Sequence, residues 1–82
     1  MYLAKVYVTL KPTVNDPQGR TVMGGLKSLG FVSVADVRVG KYLEVRLQDA
    51  DRPQAEARVR EMCEKLLANP VIEQYRYEVV EV

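Results

Sequence analysis

Histidine and tryptophan are absent from this 82-residue chain, and cysteine and phenylalanine occur once each. Without histidine the commonest general base and the commonest metal ligand are missing together. The lone cysteine, Cys63, cannot form an internal disulfide, which fits a reducing compartment. Neither sign of charge is in excess: 12 basic and 11 acidic residues leave a net charge of +1, too weak a field to argue for nucleic acid or an anionic lipid surface. No apolar run approaches the ~20 residues needed to span a bilayer. The N-terminus enters a strand pattern at once, without the basic and then apolar stretch of a leader, so the expected setting is cytoplasmic. Chemical motifs are missing too. There is no Walker or dinucleotide glycine pattern, no calcium-loop spacing among Asp36, Asp49, Asp51 and Glu56, and no arginine-bearing phosphate loop between Lys11 and Asn15 of the kind acyl phosphate hydrolysis needs. No catalytic, metal-binding or cofactor-binding residue is expected on this chain.

What is present reads as one small globular domain spanning residues 1–82, with 48% apolar and 28% charged residues. A 60-residue domain buries only ~60% of its unfolded surface, so a chain of this size gains from self-association. From Tyr2 to Leu10 the residues alternate, with Tyr2, Ala4, Val6, Val8 and Leu10 on one face and Leu3, Lys5, Tyr7 and Thr9 on the other. Lys11-Pro12 closes this strand. Asp16 then stands as an N-cap with Pro17 at the first helical position, where its missing N–H costs nothing. That carboxylate occupies the cap, so the segment reads as a helix start and not as a phosphate site. The helix should run to about Leu29, with Val22, Met23, Leu26 and Leu29 on one face and Gly30 as its C-terminal cap. The adjacent Gly24 and Gly25 suggest close backbone contact there.

A second strand is expected over Val34–Val39 and a third over Tyr42–Leu47, joined by a type II′ hairpin turn at Gly40-Lys41. Asp51 and Gln54 form a capping box for a second helix, with Pro53 in its first turn. Val59, Met62, Cys63, Leu66 and Leu67 share that helix's apolar face, and Asn69-Pro70 ends it. Val71–Val82, rich in Val, Ile and Tyr, reads as the last strand. The order strand, helix, strand, strand, helix, strand predicts an α+β, ferredoxin-like βαββαβ fold, an antiparallel four-stranded sheet with both helices on one face. The opposite face, carrying Leu3, Lys5, Tyr7, Thr9, Arg38, Tyr42, Glu44 and Arg46, is a candidate interface. Within it Tyr7, Tyr42, Glu44 and Arg46 are candidates for self-association. RNA-binding sheets of this architecture stack bases on aromatics, and Tyr7 sits where one would stand. The third strand lacks the accompanying basic and aromatic run, which argues against RNA. Cys63 lies among apolar neighbours with no base to make a thiolate and reads as structural.

The segments TLKP (Thr9 to Pro12), NDPQG (Asn15 to Gly19), LGF (Leu29 to Phe31), VRVGK (Val37 to Lys41) and EMCEKLLANPVIEQY (Glu61 to Tyr75) together resemble the PurS family. These are small subunits of phosphoribosylformylglycinamidine synthase, also called formylglycinamide ribonucleotide amidotransferase. The resemblance covers nearly the whole chain in order. It departs at Thr13-Val14-Asn15, where the family more usually has a glycine and then Val-Leu before the aspartate, and at Gly24-Gly25, where better helix formers are usual. It implies a non-catalytic bridging subunit in purine biosynthesis, a homo-oligomer (dimer or tetramer) whose partners are a glutaminase subunit that releases ammonia and a synthetase subunit that uses ATP and Mg. Within the family-like loops, Lys11, Asp16, Gln18, Arg38 and Lys41 are the candidate partner-facing residues. A stand-alone ferredoxin-like dimer that binds a small regulatory molecule is the competing expectation.

Overall fold

The first strand, β1 (Tyr2–Leu10), forms the centre of a computed structural model that covers residues 1–82. Its alternation works as the sequence predicts: Ala4, Val6 and Val8 are buried, while Leu3, Lys5, Tyr7 and Thr9 are only half-covered on the other side. After it come α1 (Pro17–Ser28), β2 (Gly40–Leu47), α2 (Arg52–Met62) with a π-helical turn at Cys63–Leu67, and β3 (Glu73–Glu81). Both β2 and β3 pair antiparallel with β1, giving one three-stranded sheet in the order β2-β1-β3. Placing the first strand between the two later ones is what the split βαβ connectivity requires.

Helix α2 starts where Asp51 predicts, its carboxylate accepting the Gln54 N–H at 2.9 Å, though Gln54 does not return the second bond of a capping box. It lies across β1 and β3. Ala55, Val59 and Cys63 are fully buried against Ala4, Val6 and Val8, and Val79 of β3 completes this layer. Arg58 pairs with Asp49 at 2.6 Å, and the Arg52 guanidinium donates to the Val79 carbonyl while lying 6.0 Å from the Tyr2 ring. Tyr75 and Tyr77 are half-buried on the same side, 6.4 Å apart edge to face, and the Tyr75 hydroxyl donates to Glu64. Burial and the neighbouring Glu64 carboxylate push that phenol up. Asn69-Pro70 ends the helical stretch: the Asn69 carbonyl accepts from Ile72 and Glu73, and its side chain from Val71.

The structure corrects the sequence reading in four places. The sheet has three strands, not four. Residues 34–39 form no strand, and Gly40 is not in a hairpin turn; it begins β2, opposite Thr9. A type II′ turn needs positive φ at its first central residue, and the only residue with positive φ is Gly30, at 98°. What position 40 requires is smallness, since a Cβ there would collide with the Val8 carbonyl and lie 2.8 Å from Thr9 Cγ2. Second, α1 does not cover the sheet. It makes no substantial contact with any strand or with α2, and among its residues only Gly19 is buried. The chain measures 50 × 27 × 14 Å with a radius of gyration of 16.1 Å. Third, Gly24 and Gly25 meet nothing: a Cβ at either would have no neighbour within 4 Å. Fourth, the π-helical turn, closed by Ala68 N–H to Cys63 C=O at 2.9 Å, rotates Leu66 off the apolar stripe. Leu66 is 81% exposed, and Ala68 takes the inward position.

Candidate functional site

Asp16 organises one end of the molecule, where β1 finishes and α1 and β2 begin. One carboxylate oxygen accepts the Gly19 N–H at 2.9 Å, capping α1 as predicted, and the other accepts the Val39 N–H at 2.8 Å. A residue read only as a helix cap therefore also fixes the approach to β2, and it is buried in doing so. The two backbone N–H groups, with Arg38 nearby, hold its carboxyl below the usual carboxylate range. The close contact extends to Gly19, where a Cβ would overlap the Val37 carbonyl oxygen. At the far end of α1, Gly30 and Phe31 N–H groups donate to the Lys27 and Leu26 carbonyls, a Schellman cap that uses the positive φ of Gly30.

Arg38 holds the opposite wall. Its guanidinium donates to the Lys11 and Val14 carbonyls, both at 2.9 Å, and so fastens the loop between β1 and α1. This removes Arg38 from the open sheet face, where the four-stranded reading had put it. A polar cleft of about 350 Å³ opens beside the clamp, lined by Asn15, Asp16, Arg20, Asp36 and Arg38 among others. A second cleft of about 220 Å³ lies on the other side, between Gln18, Lys41 and Glu73. All five candidate partner-facing residues therefore gather at one end: Lys11, Asp16 and Arg38 in the clamp, Gln18 and Lys41 at the neighbouring cleft. Arg20, Asp36 and Glu73 join them without having been singled out from the sequence. Arg20 could have been, since it lies four residues after the cap and on the same side of the helix.

The open sheet face carries the other candidates. Tyr7 and Tyr42 are directly opposed in the register, with ring centroids 5.0 Å apart, and the Arg76 guanidinium sits 3.9 Å from the Tyr7 centroid. The Tyr42 hydroxyl donates to Glu44 at 3.0 Å, and partial burial together with that carboxylate pushes the phenol up. Lys5 lies between Glu44 and Glu78, and Arg46 is opposite Leu3. Arg76 of the last strand belongs to this cluster as well, though it was not among the residues named for the open face. Cys63, buried and beside Glu64, has its thiol pushed up and is not poised as a nucleophile.

The arrangement offers hydrogen-bonding and charged groups for recognition, while its one thiol is sealed in the core. No helix is long and apolar enough to cross a membrane. Residues 3–81 match the family model described as PurS, phosphoribosylformylglycinamidine (FGAM) synthase. The chain is 56% identical to the FGAM synthase subunit PurS of Bacillus subtilis over all of its own length and 96% of that protein's. It superposes on the structure of Bacillus subtilis PurS with a TM-score of 0.89, covering 99% of this chain and 100% of that one. A chain of the PurLQS structure from Thermotoga maritima matches with a TM-score of 0.86 at 27% identity, over 98% of this chain and 99% of that one. The chain belongs to the PurS family of phosphoribosylformylglycinamidine synthase subunits.

Proposed function

We propose that this chain is the non-catalytic bridging subunit of phosphoribosylformylglycinamidine synthase in de novo purine biosynthesis, linking a glutaminase subunit to an ATP-dependent synthetase subunit and assisting ammonia transfer. The observation that carries the reading is the match, over nearly the whole chain, to a chain of the Thermotoga maritima PurLQS structure. In this reading the protein works in the cytoplasm as a homo-oligomer. ATP and magnesium belong to the synthetase subunit, and this chain holds no cofactor.

The clamp end suits a contact surface. Asp16 and Arg38 spend their charge on backbone groups, which fixes the loop at residues 11–15 and presents Lys11, Gln18 and Lys41 on a rigid base. A preorganised surface loses less entropy on association than a mobile one. A stand-alone small-molecule regulator is not favoured by the family match.

The test is association of the purified chain with the synthetase and glutaminase subunits, followed by size-exclusion chromatography. Wild-type protein co-elutes with them. Arg38→Ala with Lys41→Ala weakens that association while the chain stays folded by circular dichroism. Undiminished association of the double variant removes these residues from the interface.

A further inference from the structure

Near-neutral as a whole, the molecule is not electrically even at its clamp end. Lys11, Arg20, Arg38 and Lys41 gather there and none of them forms an ion pair. The two ion pairs of the chain, Arg58 with Asp49 and Lys65 with Glu61, lie elsewhere. The acids at this end are already engaged by the backbone. Asp16 accepts from Gly19 and Val39, Asp36 from the Val37 N–H at 2.9 Å, and Glu73 from the Asn69 N–H at 2.6 Å. Backbone N–H dipoles offset part of that negative charge, and Asp16 is buried, whereas Arg20, Arg38 and Lys41 are exposed. The surface of this end is therefore positive, although a net charge of +1 gives no hint of it.

Two of these cations share one cleft, the polar one of about 350 Å³. Arg38 is fixed in place there. A single terminal nitrogen, Nη2, donates to both the Lys11 and Val14 carbonyls. That uses two of the five N–H donors of a guanidinium, and Nη1 and Nε have no acceptor in the chain. Carbonyl acceptors leave the positive charge in place, so a carboxylate entering the cleft meets a guanidinium that has already lost its rotamer freedom. Arg20 lines the same cleft and has no side-chain acceptor of its own. Asp16 and Asp36 also border it, and their charge disfavours a dianion such as a phosphate ester more than it does a single carboxylate. The lining is mainly polar, unlike the apolar walls that hold most free small molecules.

We infer that the cleft between Arg20 and Arg38 is a socket for an acidic side chain, an aspartate or glutamate, on one of the larger subunits that this chain bridges. The two guanidinium groups grip the carboxylate, and Lys11 and Lys41 add attraction around it. This rests on the bridging reading above and names the chemistry of its contact. Arginine suits that role because its planar donors match a carboxylate, and a preorganised donor gives up little entropy on binding.

Sedimentation of the full chain with the purified synthetase and glutaminase subunits tests this, at ionic strengths of roughly 0.05 to 0.3 M, on either side of the ~10 Å screening length of 0.1 M salt. Arg20→Glu places an acid in the first turn of α1, where the helix dipole favours it, so circular dichroism should show the helix retained. Wild-type affinity is expected to fall about tenfold or more across that range, and Arg20→Glu to bind about a hundredfold more weakly at its low end with a flatter salt dependence. Arg20→Lys, which keeps the charge, is expected to stay within about tenfold of wild type. A wild type that binds while Arg20→Glu binds as tightly, or with the same salt dependence, overturns the socket and leaves the bridging reading standing. So does an Arg20→Lys variant as weak as Arg20→Glu, which would make the role of Arg20 structural. A melting temperature of the isolated chain that rises with millimolar inorganic phosphate, and no longer does so in Arg20→Glu, assigns the cleft to a free anion and overturns the inference. A wild type that associates with neither subunit at any salt overturns the bridging reading and this inference with it.

Discussion

Gly19→Ala is the substitution that separates the clamp from ordinary helix formation. In an unobstructed helix, replacing glycine with alanine stabilises by about 0.5–1 kcal/mol because glycine loses more backbone freedom on folding. At position 19 the new methyl would overlap the Val37 carbonyl oxygen and lie 2.8 Å from the Asp16 carboxylate oxygen that accepts the Val39 N–H. Forcing extra volume into such a site costs about 1–3 kcal/mol. The cost outweighs the gain, so the expected result is a net loss of about 1–2 kcal/mol. Gly24 is the internal control: it is on the same helix, its Cβ would meet nothing within 4 Å, and it lies on the polar face away from Val22 and Leu26. Gly24→Ala should gain up to ~1 kcal/mol. Each kcal/mol moves the melting temperature of a domain this size by roughly 4–8 °C. The two variants should therefore shift in opposite directions in melts followed by circular dichroism, run at one protein concentration because association makes Tm concentration-dependent. If Gly19→Ala melts as high as Gly24→Ala, position 19 is not crowded and the clamp is not as described.

Three further outcomes are expected. Because the folded Asp16 carboxyl titrates below its unfolded value, its contribution is fully present above about pH 4 and is lost as pH falls through the lower folded value. Asp16→Asn should flatten the acid limb of a stability-against-pH curve, and an unchanged limb would mean that Asp16 is not held as described. Cys63 should resist thiol reagents until the protein unfolds, and Cys63→Ser, which places a hydroxyl in a fully buried apolar site, should cost about 1–3 kcal/mol in urea denaturation. Leu66→Ala should stay within about ±0.5 kcal/mol, because the π-helical turn leaves that side chain 81% exposed; a core-sized loss would put Leu66 back on the buried stripe.

The parts of the fold that were legible in the sequence are those set by local rules. The two-residue period of Tyr2–Val8, the Asp16-Pro17 and Asp51 caps, the Gly30 stop and the Asn69-Pro70 turn each depend on side chains within a few positions. What misled the reading was long-range. Gly40-Lys41 has the composition of a hairpin turn, but the Val39 N–H is taken by Asp16, 23 residues away, and Arg38 is taken by the 11–14 loop. Those bonds direct the backbone straight into β2. Leu66 fits a 3.6-residue stripe, and only the wider π-helical turn moves it out. At the candidate site, Lys11, Asp16 and Gln18 were named from the loops that resemble the family. The pairing of Asp16 with Val39, like the Arg76 contact over Tyr7, depends on partners far along the chain.

The central claim, that this chain couples ammonia release to its use, is tested most directly by amidine formation in a reconstituted system. Purified synthetase and glutaminase subunits are supplied with glutamine, or with ammonia in its place, in the presence and absence of this protein. The account predicts that glutamine-driven turnover depends on the chain and that ammonia-driven turnover does not. Glutamine-driven turnover that proceeds equally well without it would contradict the bridging role.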